Sequence, residues 1–297
     1  MNRLPQHRSV ELPHLPADWR VGRHAPLADG RLAILGTPAE PSSPFEGQGT
    51  ARPQAFPVSV WTFEGGALVQ EFKVSACGFV PHLLDRFPDG RWLLAGGEGA
   101  CLLAQDGTQV RHLDFGEGIR HLKIDAAGRI WVGWADEGVF GNAHWRVPGV
   151  DAPPSSYGMA AFDDHGNLLK CASVITVVEC YALNAFGDEA WACPYTEFPI
   201  WRMTGDQEHV WRTSLDGVCA IAVHDPNILA AGGYDADANL LQLLKLTGNK
   251  ARVMKRWRLP FNRSGPASGF LLDGRGDQLH LVHDGVWHRW RVTDFLE

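Results

Sequence analysis

Six cysteines, thirteen histidines and 34 carboxylates are the groups of this 297-residue chain that could ligate a metal or serve as nucleophile or base. Their spacing gives few ready-made arrangements. Cys77, Cys101, Cys171, Cys180, Cys193 and Cys219 include no C-x-x-C pair, so they frame no zinc site and read as scattered reduced thiols. There is no G-x-S-x-G elbow, no H-E-x-x-H, no phosphate-binding Walker loop and no complete G-x-G-x-x-G. DADAN at 235–239 starts like a calcium loop, but Leu240 and Leu246 stand where the turn glycine and closing glutamate belong. His280 and His283 are three apart in a β-patterned run and so point to opposite faces. A two-carboxylate site would have to pair Asp136 or Glu137 with Asp235 or Glu98, residues distant in the chain.

What could bring such residues together is a repeat. An apolar run, a turn with Asp and Gly, and a second apolar run recur as PLADGRLAIL from Pro26, RFPDGRWLLAGG from Arg86, KIDAAGRIWVGW from Lys123 and LDGRGDQLHLV from Leu272. A second hairpin phrase follows, as in LLAQDGTQVRHLDF and LLKLTGNKARVMKRW. Each unit therefore reads as four strands, A to D, with tight A–B and C–D turns. Six units are expected, at about 19–75, 78–116, 118–173, 177–215, 217–260 and 267–297. The last lacks a D strand, and residues 8–13 can supply it. The fold class is all-β: a six-bladed β-propeller of four-stranded blades in one domain, closed by an N-terminal strand that completes the last blade and removes an open sheet edge.

This topology sends the D–A and B–C connections to one face, around the mouth of a central channel. Two B–C connections are long, at 37–57 with five prolines and at 135–156. The second reads as a lid carrying Asp136, Glu137, Asn142 and Trp145. Tyr195, Glu197, Tyr234, Asp235, Asp237 and Asp284 are placed on the same face, with Arg120, His121, His14, Arg20 and Arg263 from the D–A side. Of these, Arg120, His121, Asp136, Glu137, Asn142, Trp145, Tyr195, Asp235 and Asp237 are the candidates for holding a protein partner or a small polar ligand.

The composition sets limits. A net charge of −7 from 27 basic and 34 acidic residues gives no field for wholesale nucleic-acid binding. No window is apolar enough to span a bilayer, and the N-terminal stretch has no signal-peptide core, so a cytoplasmic protein is expected. Seven Lys and Arg without an acid at 245–263 fall on the C–D hairpin of blade five, where they would protect an exposed edge strand. Twelve tryptophans fit mostly between twisted sheets, Trp92, Trp131 and Trp191 in B strands and Trp61 and Trp201 in C strands.

The phrase DAAGRIWVGWADEGVFGN resembles the repeats of NHL and two-component-regulator propellers, with an Asp-x-x-Gly turn before Ile-Trp-Val-Gly. ECYALNAFGDEAWACPYTEFPIWRM is similar to stretches of bacterial propeller proteins without assigned function. These resemblances imply the fold, and with it a non-catalytic binding role as scaffold, sensor or inhibitor, with no cofactor. The enzymatic comparison, gluconolactonase-type propellers, implies instead a hydrolase with Ca²⁺ or another divalent ion in the channel, for which Asp136, Asn184 and Asp235 are the metal candidates. A third reading, carbohydrate binding, requires Trp134, Trp145 and Trp287 to be exposed.

Overall fold

The computed structural model describes residues 2–38, 56–97, 99–148, 150–261 and 270–296. The chain enters as a short strand, β1 (Arg8–Glu11), and then builds five complete sheets. Blade one holds β2 (Trp19–Pro26), β3 (Leu32–Pro38), β4 (Phe56–Glu64) and β5 (Ala67–Cys77). Blade two holds β6 (Pro81–Arg86), β7 (Trp92–Gly96), β8 (Gly99–Leu103) and β9 (Gln109–Leu113). Blade three comprises β10 (Ile119–Ile124), β11 (Ile130–Trp134), β12 (Met159–Phe162) and β13 (Leu168–Cys171). Blade four comprises β14 (Glu179–Phe186), β15 (Glu189–Tyr195), β16 (Ile200–Thr204) and β17 (Gln207–Trp211). In blade five run β18 (Val218–His224), β19 (Asn227–Gly232), β20 (Leu240–Thr247) and β21 (Lys250–Arg258). Blade six has only β22 (Leu271–Arg275), β23 (Gln278–His283) and β24 (Val286–Arg291) of its own. Its fourth strand is β1, which pairs antiparallel with β24 in the register Arg8–Arg289 to Glu11–Val286. The first strands of successive blades pack side by side, and β2 meets both β6 and β22, so the ring closes. The six-bladed, N-terminally closed propeller read from the repeat is the fold observed.

The Asp of the recurring Asp/Gly turn has a definite job in several of the tight turns. Asp29 Oδ1 accepts from the Arg31 amide at 3.1 Å, Asp89 Oδ1 from Arg91 at 3.0 Å, and Asp163 Oδ1 from His165 at 2.8 Å. The second oxygen holds the side chain that follows, as Asp89 Oδ2 holds Arg91 Nε at 2.7 Å. The turn glycines Gly30, Gly90 and Gly128 sit at φ of 84°, 93° and 79°, where a Cβ is strained. Asp163→Ala strips its turn of bonds from His165 and Asn167. It should lower unfolding free energy by about 1–2 kcal/mol, read as a shifted urea midpoint at unchanged slope.

Packing between blades is apolar and nearly uniform. Five of the six seams each contain one continuous buried cluster, for example Leu93, Ile130, Trp134 and Phe162 between blades two and three. The seam between blades six and one differs. Its buried residues divide into two small groups, Leu32, Leu271, Val282 and Trp287 in one and Ile34, Trp61 and Phe63 in the other. Trp92, Trp131, Trp191 and Trp201 are fully buried in these seams, as their strand positions predicted. Among the described residues no helix is long and apolar enough to cross a membrane.

Candidate functional site

The centre of the ring is occupied by the protein's own charges. Lys123 from blade three reaches Asp273 of the opposite blade six, Nζ to Oδ2 at 2.6 Å. Arg275 of blade six crosses to Asp85 of blade two at 2.8 Å and donates again to the Ile124 carbonyl at 2.6 Å. Asp85 also accepts from the amides of Ile124 and Arg86. Burial would raise the Asp273 carboxyl, but the Lys123 ammonium, with Arg23, outweighs it and holds the pKa below the usual carboxylate range. Burial pushes the Lys123 ammonium down, and the Asp273 charge opposes that shift. The space left among Arg23, His121, Lys123 and Asp273 is about 10 Å³, room for roughly one water.

Above this plug, towards the long-loop face, four aromatic rings from blades four and five form a platform. Phe198 is buried at its centre, with ring centroids 5.1 Å from Tyr181, 5.8 Å from Tyr195 and 6.1 Å from Tyr234. Tyr234 donates its hydroxyl to that of Tyr181 at 3.1 Å. Burial, that bond and the nearby Asp216 carboxylate all push the Tyr234 phenol upward, so it stays protonated. Tyr195 and Tyr234 are 37% and 42% exposed, an apolar area that no described residue covers. Phe198 and Asp235, which follows Tyr234, hold φ of 49° and 47°, a left-handed backbone uncommon for residues other than glycine. Arg120 stacks 4.5 Å over the Tyr181 ring and is ion-paired to Glu179. Around the platform, Glu197, Asp216 and Asp235 are exposed carboxylates, none with an ion pair among the described residues.

The residues expected at the mouth thus divide. Arg120, Tyr195 and Asp235 come together here, as does Tyr234. His121 lies beneath them, donating Nε2–H to the Tyr181 carbonyl at 3.1 Å; burial chiefly lowers its pKa to about 3. Asp237 stands beside the group but is neutralised by Arg258 at 2.5 Å.

The segment after β11 is not the free lid its length suggested. It begins with a short helix, α1 (Asp136–Gly141), held against the neighbouring connection by Asn142. The Asn142 amide donates to the carbonyls of Glu117 and Gly138 and to Ser155 Oγ, and its oxygen accepts from the Glu117 amide. Asn142 therefore fastens the loop, with both amide hydrogens committed and the residue buried. Trp145 packs on Trp134 and Phe162, with centroids 6.0 and 6.2 Å away. Asp136 and Glu137 are exposed on α1.

The metal candidates do not converge. Asn184 is fully buried near the opposite end of β14 from Glu179, bonded to Ile221 and to both backbone groups of Gly276. Asp136 and Asp235 lie at the long-loop end, so Asn184 is roughly 16 Å below them by strand rise. Among the described residues no three His, Cys, Asp or Glu are grouped to hold an ion. The carbohydrate reading fails on its own condition, because Trp134 and Trp287 are fully buried and Trp145 is packed. Glu98, Arg263 and most of the 37–57 connection lie outside the described residues. The basic run forms β21, the outermost strand of blade five, with Lys250, Arg252, Lys255 and Arg256 exposed along it.

The platform includes residues that sequence reasoning passed over. Tyr181 and Phe198 sit in an A strand and at a B–C turn where aromatics read as core, and Glu179 and Asp216 as ordinary surface. The channel charges were also missed. Their signal was Asp85, Lys123 and Asp273 recurring within A strands that are otherwise apolar.

No family model matches the chain, and no curated protein matches it. Solved structures do. Virginiamycin B lyase from Staphylococcus aureus aligns over 96% of this chain and 98% of its own, with a TM-score of 0.53 and 9% identity. The WD40 domain of Neurospora crassa Pan2 aligns over 96% and 94% at 0.50 and 12%. YCF48, solved with a D1 peptide, aligns over 98% of both chains at 0.50 and 11%. At these identities the likeness is one of fold: the chain is a β-propeller.

Proposed function

We propose that the protein is a non-catalytic propeller that binds a protein partner through its long-loop face, on the tyrosine platform of blades four and five. The observation that carries this reading is the pair of exposed tyrosines, Tyr195 and Tyr234, supported from below by buried Phe198 and edged by exposed carboxylates that have no ion pair among the described residues. Tyrosines anchored in this way give contact area at low cost in side-chain entropy, and they are typical of interface hot spots. Glu197, Asp216 and Asp235 favour a basic segment, whose Lys or Arg can stack on the rings and meet the acids. The channel supports the same reading, because Lys123, Asp273, Asp85 and Arg275 fill the place where a substrate would sit. A propeller carrying a peptide, as YCF48 does, is the corresponding use of this fold.

The test is site-specific photocrosslinking in cells. A photoreactive residue at Tyr195 should trap a discrete partner, and one at Asp106, in the β8–β9 turn of the opposite face, should not. With the partner in hand, the Tyr195→Ala/Tyr234→Ala double variant should weaken it at least about tenfold, at roughly 1–2 kcal/mol per ring. Affinity should also fall with added salt. Trapping only from Asp106, or affinity unchanged in the double variant, would remove this reading.

A further inference from the structure

Where the seam between blades six and one divides into two small apolar groups, a cavity of about 380 Å³ touches both, through Ile34 of one and Val282 of the other. It opens beside the link that follows the closing strand β1. Leu15, Trp19, Val21 and Phe270 complete its apolar walls. At the mouth are His14 and the His283–Asp284 pair, Nδ1 to Oδ2 at 3.2 Å. His24, 4% exposed, is the buried polar group of the wall, and its Nδ1 has no hydrogen-bond partner among the described residues.

An orphaned ring nitrogen in such a wall needs a physical account, since burying one unsatisfied polar atom costs about 1–3 kcal/mol. The other five seams each hold one continuous apolar cluster, whereas among the described residues this one is divided, with the cavity and its imidazole between the two groups. We propose that the cavity is a binding site for a small neutral aromatic molecule bearing a hydroxyl group, whose ring lies between Trp19, Val21, Ile34 and Val282 and whose hydroxyl bonds to His24. The volume is that of a small-ligand pocket, mostly apolar with few polar groups to fix orientation. A hydroxyl both donates and accepts, so it satisfies the imidazole in either tautomer. The ligand is neutral because a charge taken into these walls would lose its hydration with no buried counter-charge in the lining. Burial, reinforced by Arg23, lowers the His24 pKa to about 4, so the imidazole is itself neutral near pH 7. This site is independent of the tyrosine platform, which lies over blades four and five.

The experiment uses the full chain, methyl-labelled for NMR, titrated in parallel with p-cresol and with toluene, which differs only by lacking the hydroxyl. Binding at this site predicts shifts of the Val21, Ile34 and Val282 methyls and of the His24 ring nitrogens on adding p-cresol. Toluene should bind more weakly by about tenfold, the worth of one satisfied buried hydrogen bond. A merely greasy cavity would rank the pair the other way, because the hydroxyl then pays for its desolvation. In the His24→Leu variant the preference for p-cresol should vanish. The His24 nitrogen shifts test the contact in the native chain should that variant fail to fold. Unmoved methyls at millimolar p-cresol, or toluene bound as tightly as p-cresol in the native protein, would overturn the proposal.

Discussion

Replacing Asp85 by Asn should lower unfolding free energy by about 3–5 kcal/mol, the largest effect expected of any isosteric change in the chain. Asp85 is 2% exposed and faces Arg275, whose side chain is 4% exposed. The guanidinium cannot shed its proton at any ordinary pH, so the variant keeps a buried cation beside a neutral amide. Arg275 has little slack to find new partners, since its Nε is already without one among the described residues. Asp273→Asn should be milder, although its geometry is as tight. Its partner Lys123 can release a proton when left alone, which limits the loss to the cost of neutralising an ammonium near pH 7.

Two further variants separate the charge from the packing. Asp85→Leu with Arg275→Met removes both ions and should recover most of the stability that Asp85→Asn loses, because filling a core with apolar groups of similar size is often neutral or better. Urea unfolding of the native chain, Asp85→Asn, Asp273→Asn and the double variant would check the order. Asp85→Asn within about 1 kcal/mol of native would show that the crossing pair carries no net burden of desolvation.

The architecture was legible because its signals are local. An Asp that caps its own turn two residues later, and strands that alternate over five residues, leave a pattern within about twelve positions. Even the closing strand showed, since blade six visibly lacked a fourth strand. The channel plug had no such signal: Lys123 and Asp273 meet 150 residues apart. Charged residues at the end of an A strand look like turn flanks until the ring turns all six first strands inward. The platform was half visible for the same reason. Tyr195, Tyr234 and Asp235 were flagged by their loop positions, whereas Tyr181 and Phe198 look like core in sequence, and Phe198 is core. Helix α1 was missed because six residues containing two glycines carry no periodicity. The fastening role of Asn142 was not legible because a fastening amide and a ligand-binding amide have the same residue type and differ only in whether neighbouring backbone reaches them first.

Acid should destabilise the protein well before its carboxylates titrate. Burial lowers the pKa of His24 to about 4 and of His280 to about 3, both well under the ordinary value of 6.5. His280 Nδ1 faces the Trp287 indole N–H at 3.2 Å and accepts from it, a role that protonation at that nitrogen would end. In the unfolded chain these rings take up protons near pH 6.5, and in the native chain only near pH 3–4. Between those limits the unfolded state binds more protons, so stability falls as pH falls, with a slope set by the number of rings involved. Each fully buried ring should cost roughly 2–3 kcal/mol by about pH 4.5, at ~1.4 kcal/mol per unit. His121 adds less than its shift suggests, because the residue as a whole is only half-buried. The Asp273 carboxylate works in a separate range: its pKa is depressed, so its contribution is lost only at still lower pH. Urea midpoints at about pH 7, 5.5 and 4.5 should therefore decline from the first step, and His24→Leu should flatten the decline by about one proton. A midpoint that holds level to about pH 4.5 would mean that both rings titrate normally, and that His24 and His280 are far better hydrated than their positions in the fold allow.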